Sequence, residues 1–152
     1  MIRVIGLGSP FGDDQAGWWV VENMHGCVPP PVDLVRLDRP GATLINWLDG
    51  VNHVYIIDAV GDASQPPGRV LPLNAAQLDR QSQSLTSHQL NLADTLQLAK
   101  ALGCLPAQVN IVGITIGDVT APSATVQEAA RLYAEKLAGE ISAEIDADSA
   151  TG

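Results

Sequence analysis

Two adjacent aspartates, Asp13 and Asp14, follow a glycine-rich turn over residues 6–12, which itself follows an apolar segment over residues 1–5. A helix N-terminus carries partial positive charge and unpaired N–H groups, so it holds an anion well. Here the protein supplies the anion itself. One aspartate can cap the following helix while the other stays ionised, so the pattern predicts a site for a metal ion or a cationic substrate group rather than for a nucleotide.

Three further polar residues are predicted to lie at the same edge of a sheet. Asp38 follows the second predicted strand, Asp58 ends the third, and His88 begins a helix whose N-terminus points toward that edge. Ligands of open α/β sheets collect at the carboxyl ends of the strands, where Asp14 follows the first strand. Carboxylates and an imidazole with open positions suit nickel, zinc, iron or manganese rather than a soft, thiophilic ion.

Each of these residues also has a purely structural interpretation. Asp13 and Asp14 can be N-caps and nothing more, and His88 can be an ordinary histidine at a helix start. Asp58 is harder to explain in this way, because it ends an apolar strand and a carboxylate buried without a partner is costly. The other two histidines are expected to be structural.

The bulk composition restricts the class of protein. A chain of 152 residues, 46% hydrophobic and 16% charged, is typical of one compact globular domain. The formal charge of −9 disfavours nucleic acid and an anionic membrane surface as partners. Cys27 and Cys104 are far apart, which predicts reduced core thiols and a cytoplasmic location. No leader sequence or apolar run long enough to span a bilayer is apparent.

Strand-like and helix-like segments alternate along the chain. Apolar segments predict strands at residues 2–7, 32–37, 53–58, 69–73 and 109–116. Amphipathic segments predict helices at residues 14–25 and 43–48, and two longer helices that open with capping-box patterns at residues 86–89 and 125–128. This alternation predicts a three-layer α/β/α sandwich around a mostly parallel five-stranded sheet.

The chain is predicted to form a single domain over residues 1–141. Residues 142–152 are small and acidic, and we expect them to form a flexible tail.

Several other chemistries find little support. The dinucleotide fingerprint requires glycine at the sixth position from Gly6, and that residue is Phe11. Asp38 does resemble the ribose-binding acid after a second strand, but Asp13 and Asp14 would repel a pyrophosphate. The sequence has no P-loop lysine pattern, no HExxH motif and no serine or cysteine in an activating context.

Three motifs in this order resemble the hydrogenase maturation endopeptidases. They are Gly6-Leu7-Gly8-Ser9 with Asp13-Asp14-Gln15-Ala16-Gly17, then Ile56-Ile57-Asp58-Ala59, then Ser87-His88-Gln89-Leu90. The likeness runs over residues 1–138. It implies a twisted sheet between helical layers, in agreement with the prediction from the residues themselves.

The resemblance also implies a function and a site. Members of this family are nickel-dependent proteases that remove a C-terminal extension from the nickel-loaded large-subunit precursor of nickel–iron hydrogenases. The metal ligands carried over are Asp14, Asp58 and His88, and Asp38 matches an acid of the family's second strand. We therefore expect the precursor as partner of a monomeric enzyme, with nickel carried by the substrate and another divalent metal able to occupy the site in isolation.

Two other functions stay open. A non-catalytic checkpoint protein for the nickel-loaded large subunit would keep the same three ligands. A small-molecule α/β hydrolase or nucleotide-binding enzyme would share the architecture, because fold does not determine function.

Overall fold

A five-stranded sheet forms the centre of the molecule. The structure is a computed structural model that describes residues 1–38, 42–62, 64–73, 87–117 and 121–151, without the side chains of residues 42, 87–91 and 151. The strands are β1 (Ile2–Gly8), β2 (Val32–Asp38), β3 (His53–Gly61), β4 (Val70–Leu73) and β5 (Gln108–Ile116). Their spatial order is β2-β1-β3-β5-β4, and only β4 runs antiparallel to its neighbour. The predicted mostly parallel five-stranded sheet is confirmed.

Helices cover both faces of this sheet. They are a 3₁₀-helix (Gly12–Gln15), α1 (Ala16–Met24), α2 (Ala42–Leu48), α3 (Ser87–Ala101) and α4 (Ala124–Thr151). On one face α1 packs against α4, and α2 contacts α3 on the other. Within the part of the chain that the structure describes, no helix combines the length and apolar character needed to cross a membrane.

Two hydrophobic cores hold the layers together. One contains Ile57 of β3 with residues of α1 and α4, and the other contains Ile56 of β3 with residues of α2 and α3. Neighbouring residues of a strand point to opposite faces, so a strand buried on both sides must be apolar throughout. This requirement explains why the third strand is the most apolar in the sequence, and it confirms the predicted α/β/α sandwich.

Two glycines bring α1 unusually close to the sheet. A Cβ atom at Gly17 would lie 2.4 Å from the carbonyl oxygens of both Leu7 and Ile57, and one at Gly6 would lie 2.3 Å from the carbonyl oxygen of Gly17. No side chain fits at either position without movement of the backbone. The first turn of α1 is therefore fixed directly above the seam between β1 and β3.

Most element boundaries differ from the predictions by one residue, and three differences are larger or change the kind of element. Strand β3 continues three residues past Asp58, because β5 pairs with it as far as Gly61. The predicted helix at residues 14–25 consists of the 3₁₀-helix followed by α1. The predicted capping box at residues 125–128 is wrong, since α4 begins at Ala124 and Ser123 Oγ accepts the N–H of Val126 at 3.2 Å.

The C-terminal residues continue α4 instead of leaving the helix at residue 142. Glu144 explains why. Its Oε1 lies 2.7 Å from Nδ1 of His53 and its Oε2 accepts the hydroxyl of Tyr55 at 3.0 Å. His53 is thus structural, as predicted. The division into a domain over residues 1–141 and a flexible tail stays a prediction.

Both cysteines are free thiols, as expected. Their predicted place in the core is wrong for Cys27, which is exposed, whereas Cys104 is partly buried.

Two glycine-to-alanine substitutions in helices should have opposite effects on stability. We expect Gly17→Ala to lower the free energy of unfolding by about 3 kcal/mol or more, because its Cβ collides with backbone. Gly139→Ala in α4 meets no atom within 4 Å and should raise it by about 0.5–1 kcal/mol, through helix propensity. Urea denaturation of both variants measures the difference, and equal effects would contradict the close packing of α1.

Candidate active site

The seam between β1 and β3 is the topological switch point of the sheet. The chain leaves β1 toward β2 on one side and leaves β3 toward β4 and β5 on the other. Pairing of β1 with β3 ends at Gly6 and Ile57, whereas β3 stays paired with β5 through Gly61. Asp58 is therefore the first residue of β3 beyond its partner β1. Open α/β sheets bind ligands at such a point, where the strands diverge.

The carboxyl group of Asp58 is buried, and among the residues that the structure describes only one of its oxygens has a partner. Asp58 is 1% exposed, Oδ1 accepts the N–H of Ala59 at 2.8 Å, and no described residue donates a hydrogen bond to Oδ2. Burial, together with the negative charge of nearby Asp14, raises the pKa of Asp58 to about 8. A buried carboxyl group with a raised pKa is suited to binding a cation, because a nearby positive charge would favour its ionised form.

Asp14 lies in the 3₁₀-helix that follows β1, and local contacts fix its position. The hydroxyl of Ser9 donates to Oδ2 of Asp14, and the N–H of Asp14 donates to the carbonyl of Phe11 at 3.0 Å. A Cβ at Gly8 would lie 2.7 Å from the carbonyl oxygen of Asp14, so only glycine lets the strand end come this close. The partly exposed carboxylate of Asp14 thus stays near Asp58 despite their like charges.

Asp13 has a different role from its neighbour. It is 3% exposed, and its two oxygens accept the N–H of Ser123 at 2.7 Å and the Ser123 hydroxyl at 2.8 Å. The expectation that one of the two aspartates caps its own helix is wrong, because the N-cap residues are Phe11 and Gln15 and neither makes a side-chain cap bond. Asp13 instead ties the 3₁₀-helix to the start of α4.

The structure also locates the two other predicted site residues. Asp38 is exposed at the carboxyl end of β2, opposite Gly8 of β1. His88 is the second residue of α3, four residues before Leu92, which packs in the same core as Ile56. Asp58 shares the sheet face of Ile56 by the alternation of the strand, so α3 covers the face that carries Asp58.

A complete three-residue metal cluster is not found among the side chains that the structure describes, where no three His, Cys, Asp or Glu residues lie close enough together. The side chain of His88 is outside that description. The structure brings Asp14 and Asp58 together, and the ligand set of Asp14, Asp58 and His88 stays a prediction.

Sequence reasoning missed the contacts of Ser9 and Ser123. The Ser-x-x-Val pattern at residue 123 could have revealed a cap, but not its contact with Asp13.

The fold and the site define the class of protein: a doubly wound α/β protein with a pair of acids at its switch point, suited to binding a cation. The match to a family model then identifies the family. Residues 20–144 match the model of the hydrogenase maturation proteases (HycI). The chain belongs to this family of peptidases. The matched range begins after Asp14, so the family assignment does not depend on that residue.

Individual relatives agree with this assignment. The chain is 26% identical over 117 residues to the hydrogenase 2 maturation protease of Escherichia coli K12, a match that covers 74% of this chain and 71% of the relative. The hydrogenase maturating endopeptidase HybD of E. coli superposes with a TM-score of 0.76 at 25% identity, over 90% of this chain and 88% of HybD.

An archaeal relative shares the fold at lower sequence identity. The hydrogenase maturation protease HycI of Thermococcus kodakarensis superposes with a TM-score of 0.74 at 21% identity, over 91% of this chain and 90% of the relative.

The raised pKa of Asp58 should appear in the pH dependence of stability. Between the ordinary value of 3.8 and about 8, the folded protein holds a proton that the unfolded chain has lost, so the free energy of unfolding falls as pH rises. Asp58→Asn cannot lose that proton. We expect it to be more stable than the wild type by roughly 2–5 kcal/mol at pH 8, and about equally stable near pH 4.

Urea denaturation of metal-free protein from pH 4 to pH 9 measures this difference. Asp49→Asn, which changes an exposed acid, is the matched control and should show no such trend. A constant difference between Asp58→Asn and the wild type across this pH range would contradict the raised pKa.

The contact between Asp13 and Ser123 should appear as a coupling energy between the two residues in the free energy of unfolding. We expect Asp13→Ala and Ser123→Ala each to lower the free energy of unfolding by about 1–3 kcal/mol. Asp13→Ala removes both acceptors of Ser123, and Ser123→Ala removes the hydroxyl that donates to Asp13 and accepts the N–H of Val126. The double variant should lose clearly less than the sum of the two. Additive losses in a double-mutant cycle would show that the two residues act independently.

Proposed function

We propose that this protein is an endopeptidase that removes the C-terminal extension of a nickel-loaded hydrogenase large-subunit precursor. The observation that carries the proposal is the buried Oδ2 of Asp58, which has no partner among the described residues and lies beside Asp14, in a chain of the hydrogenase maturation protease family. A site that already contains two acids gains most from a ligand that brings positive charge. A substrate that carries a divalent ion provides that charge.

In this proposal Asp14, Asp58 and His88 bind the nickel ion that the precursor already holds. Carboxylate oxygens and an imidazole nitrogen are donors that suit nickel, and another divalent ion can use the same donors in the isolated protein. The approaching cation favours the ionised form of Asp58, which then gives up its proton. Recognition thereby depends on the metal, so a precursor without nickel is a poor substrate.

Peptide cleavage is then a hydrolysis without a covalent intermediate: the oxygen of a water molecule bonds to the scissile carbonyl carbon, the C–N bond breaks, and the protons of the water pass to the leaving amine and the new carboxyl group. The ion serves as a template that brings the scissile peptide into register with the protein. The hydroxyl of Ser9, although close to Asp14, is 2% exposed and donates to that carboxylate, so it is badly placed to attack a peptide. Asp38, exposed at the neighbouring strand end, positions the peptide or assists proton transfer.

The proposal includes a cytoplasmic location and a monomeric enzyme. Two free cysteines in the chain support a reducing compartment.

Intact-mass measurement of the precursor tests the proposal. Candidate large-subunit precursors are incubated with this protein, with and without nickel loading, and the loss of a C-terminal peptide is monitored. We expect cleavage only of the nickel-loaded form, and a loss of at least about 100-fold in rate for His88→Ala or Asp58→Asn if the ion provides the alignment. His25→Ala, which changes an exposed histidine after α1, is the matched control and should cleave normally.

Each other outcome supports a different function. Tight binding of the nickel-loaded precursor without any loss of mass would favour a checkpoint protein. Neither binding nor cleavage, together with turnover of a generic ester or nucleotide, would favour a small-molecule enzyme. Full cleavage activity of Asp38→Asn would remove Asp38 from any acid–base role.

A further inference from the structure

We propose that Phe11 is a specificity-determining residue that contacts an apolar side chain of the precursor beside the scissile peptide. This inference rests on the proposed function, because it assigns a part of the same site to recognition of the protein substrate. Neither the family assignment nor the acid pair requires an aromatic residue at this place. Three observations support it: the exposure of the ring, the rigidity of its turn and its position next to Asp14.

The ring of Phe11 is unusually exposed for its type. Phe11 is the only phenylalanine of the chain, and at 62% it is the most exposed large hydrophobic residue among those the structure describes. Aromatic side chains bury about 150–250 Å² when they are enclosed, and they dominate the energetics of many interfaces. Folding leaves most of this surface in water, so it is available to a binding partner.

The turn that presents the ring is held by two hydrogen bonds on the C-terminal side of Phe11. The carbonyl of Phe11 accepts the N–H of Asp14 at 3.0 Å, and the carbonyl of Gly12 accepts Nε2 of Gln15 at 3.1 Å. Gly12 has a φ of 49°, a left-handed conformation that favours glycine. An aromatic residue on a fixed backbone loses little conformational entropy on binding, which makes it an effective anchor.

The turn also places Phe11 next to the proposed metal-binding site. Its carbonyl is bonded to the residue whose side chain lies near Asp58, so any peptide held against Asp14 passes close to this turn. A precursor with an apolar side chain at this position buries apolar surface against the ring of Phe11, and a precursor with a polar side chain there does not. The acids recognise the metal, and Phe11 recognises the protein sequence around it.

Leu102 provides a matched control at the other edge of the sheet. It is 60% exposed, nearly as much as Phe11, and it follows the C-terminal end of α3 just before the amino end of β5. The proposed site lies at the carboxyl ends of the strands, so Leu102→Ala removes a similarly exposed apolar group far from the substrate.

Steady-state kinetics on the nickel-loaded precursor test the inference, with binding affinity measured in parallel. We expect Phe11→Ala to raise KM and Kd by about tenfold while kcat changes less than about twofold, since the lost contact is equal in the bound and transition states. Phe11→Leu keeps an apolar group and should recover part of the affinity. Leu102→Ala should behave as the wild type.

The outcomes separate this inference from the proposed function. Unchanged KM and Kd in Phe11→Ala, with wild-type cleavage intact, would overturn the contact alone. A loss of kcat without a change in KM would also overturn it, because it would indicate a disturbed turn. If the wild type binds the precursor but never cleaves it, and Phe11→Ala binds the precursor more weakly than the wild type, the contact is supported and the protease function is rejected. Absence of any binding by the wild type would overturn both.

Discussion

The buried carboxyl group of Asp58 is the constraint on which the site depends. A fully buried acid is costly to keep ionised when, among the described residues, one of its oxygens has no partner, and the negative charge of Asp14 increases that cost. The resulting rise in the pKa of Asp58 favours its protonated form. A positive charge brought close to the two acids would favour their ionised forms instead, and the proposed function uses this property to recognise a substrate that carries a metal.

The rest of the structure keeps the two acids from moving apart. Gly6 and Gly17 allow α1 to lie against the backbone of β1 and β3, which fixes the helical turn that carries Asp14. Asp13 fastens that turn to Ser123 at the start of α4. Since β1 and β3 diverge at this level, the site opens where two rigid elements meet. The positions of Asp14 and Asp58 depend on the core and on the glycine contacts.

Much of this arrangement could be predicted from sequence, because it follows from local patterns. The alternation of strand-like and helix-like segments predicted the three layers, and Asp58 was identifiable as an acid at the end of an apolar strand. The contact of Asp13 with Ser123 spans 110 residues and depends on tertiary packing, so no local pattern revealed it. The same holds for the contact of Glu144 with His53, which joins residues 91 positions apart in the chain.

Carbon-13 NMR titration of the Asp58 carboxyl group in metal-free protein, with Asp14→Asn for comparison, shows whether the buried acid keeps its proton near neutral pH. We expect Asp58 to titrate with a pKa of about 8, and this pKa to fall when the negative charge of Asp14 is removed. A pKa near the ordinary 3.8 in the wild type would contradict it, since Asp58 would then be ionised and satisfied without a cation.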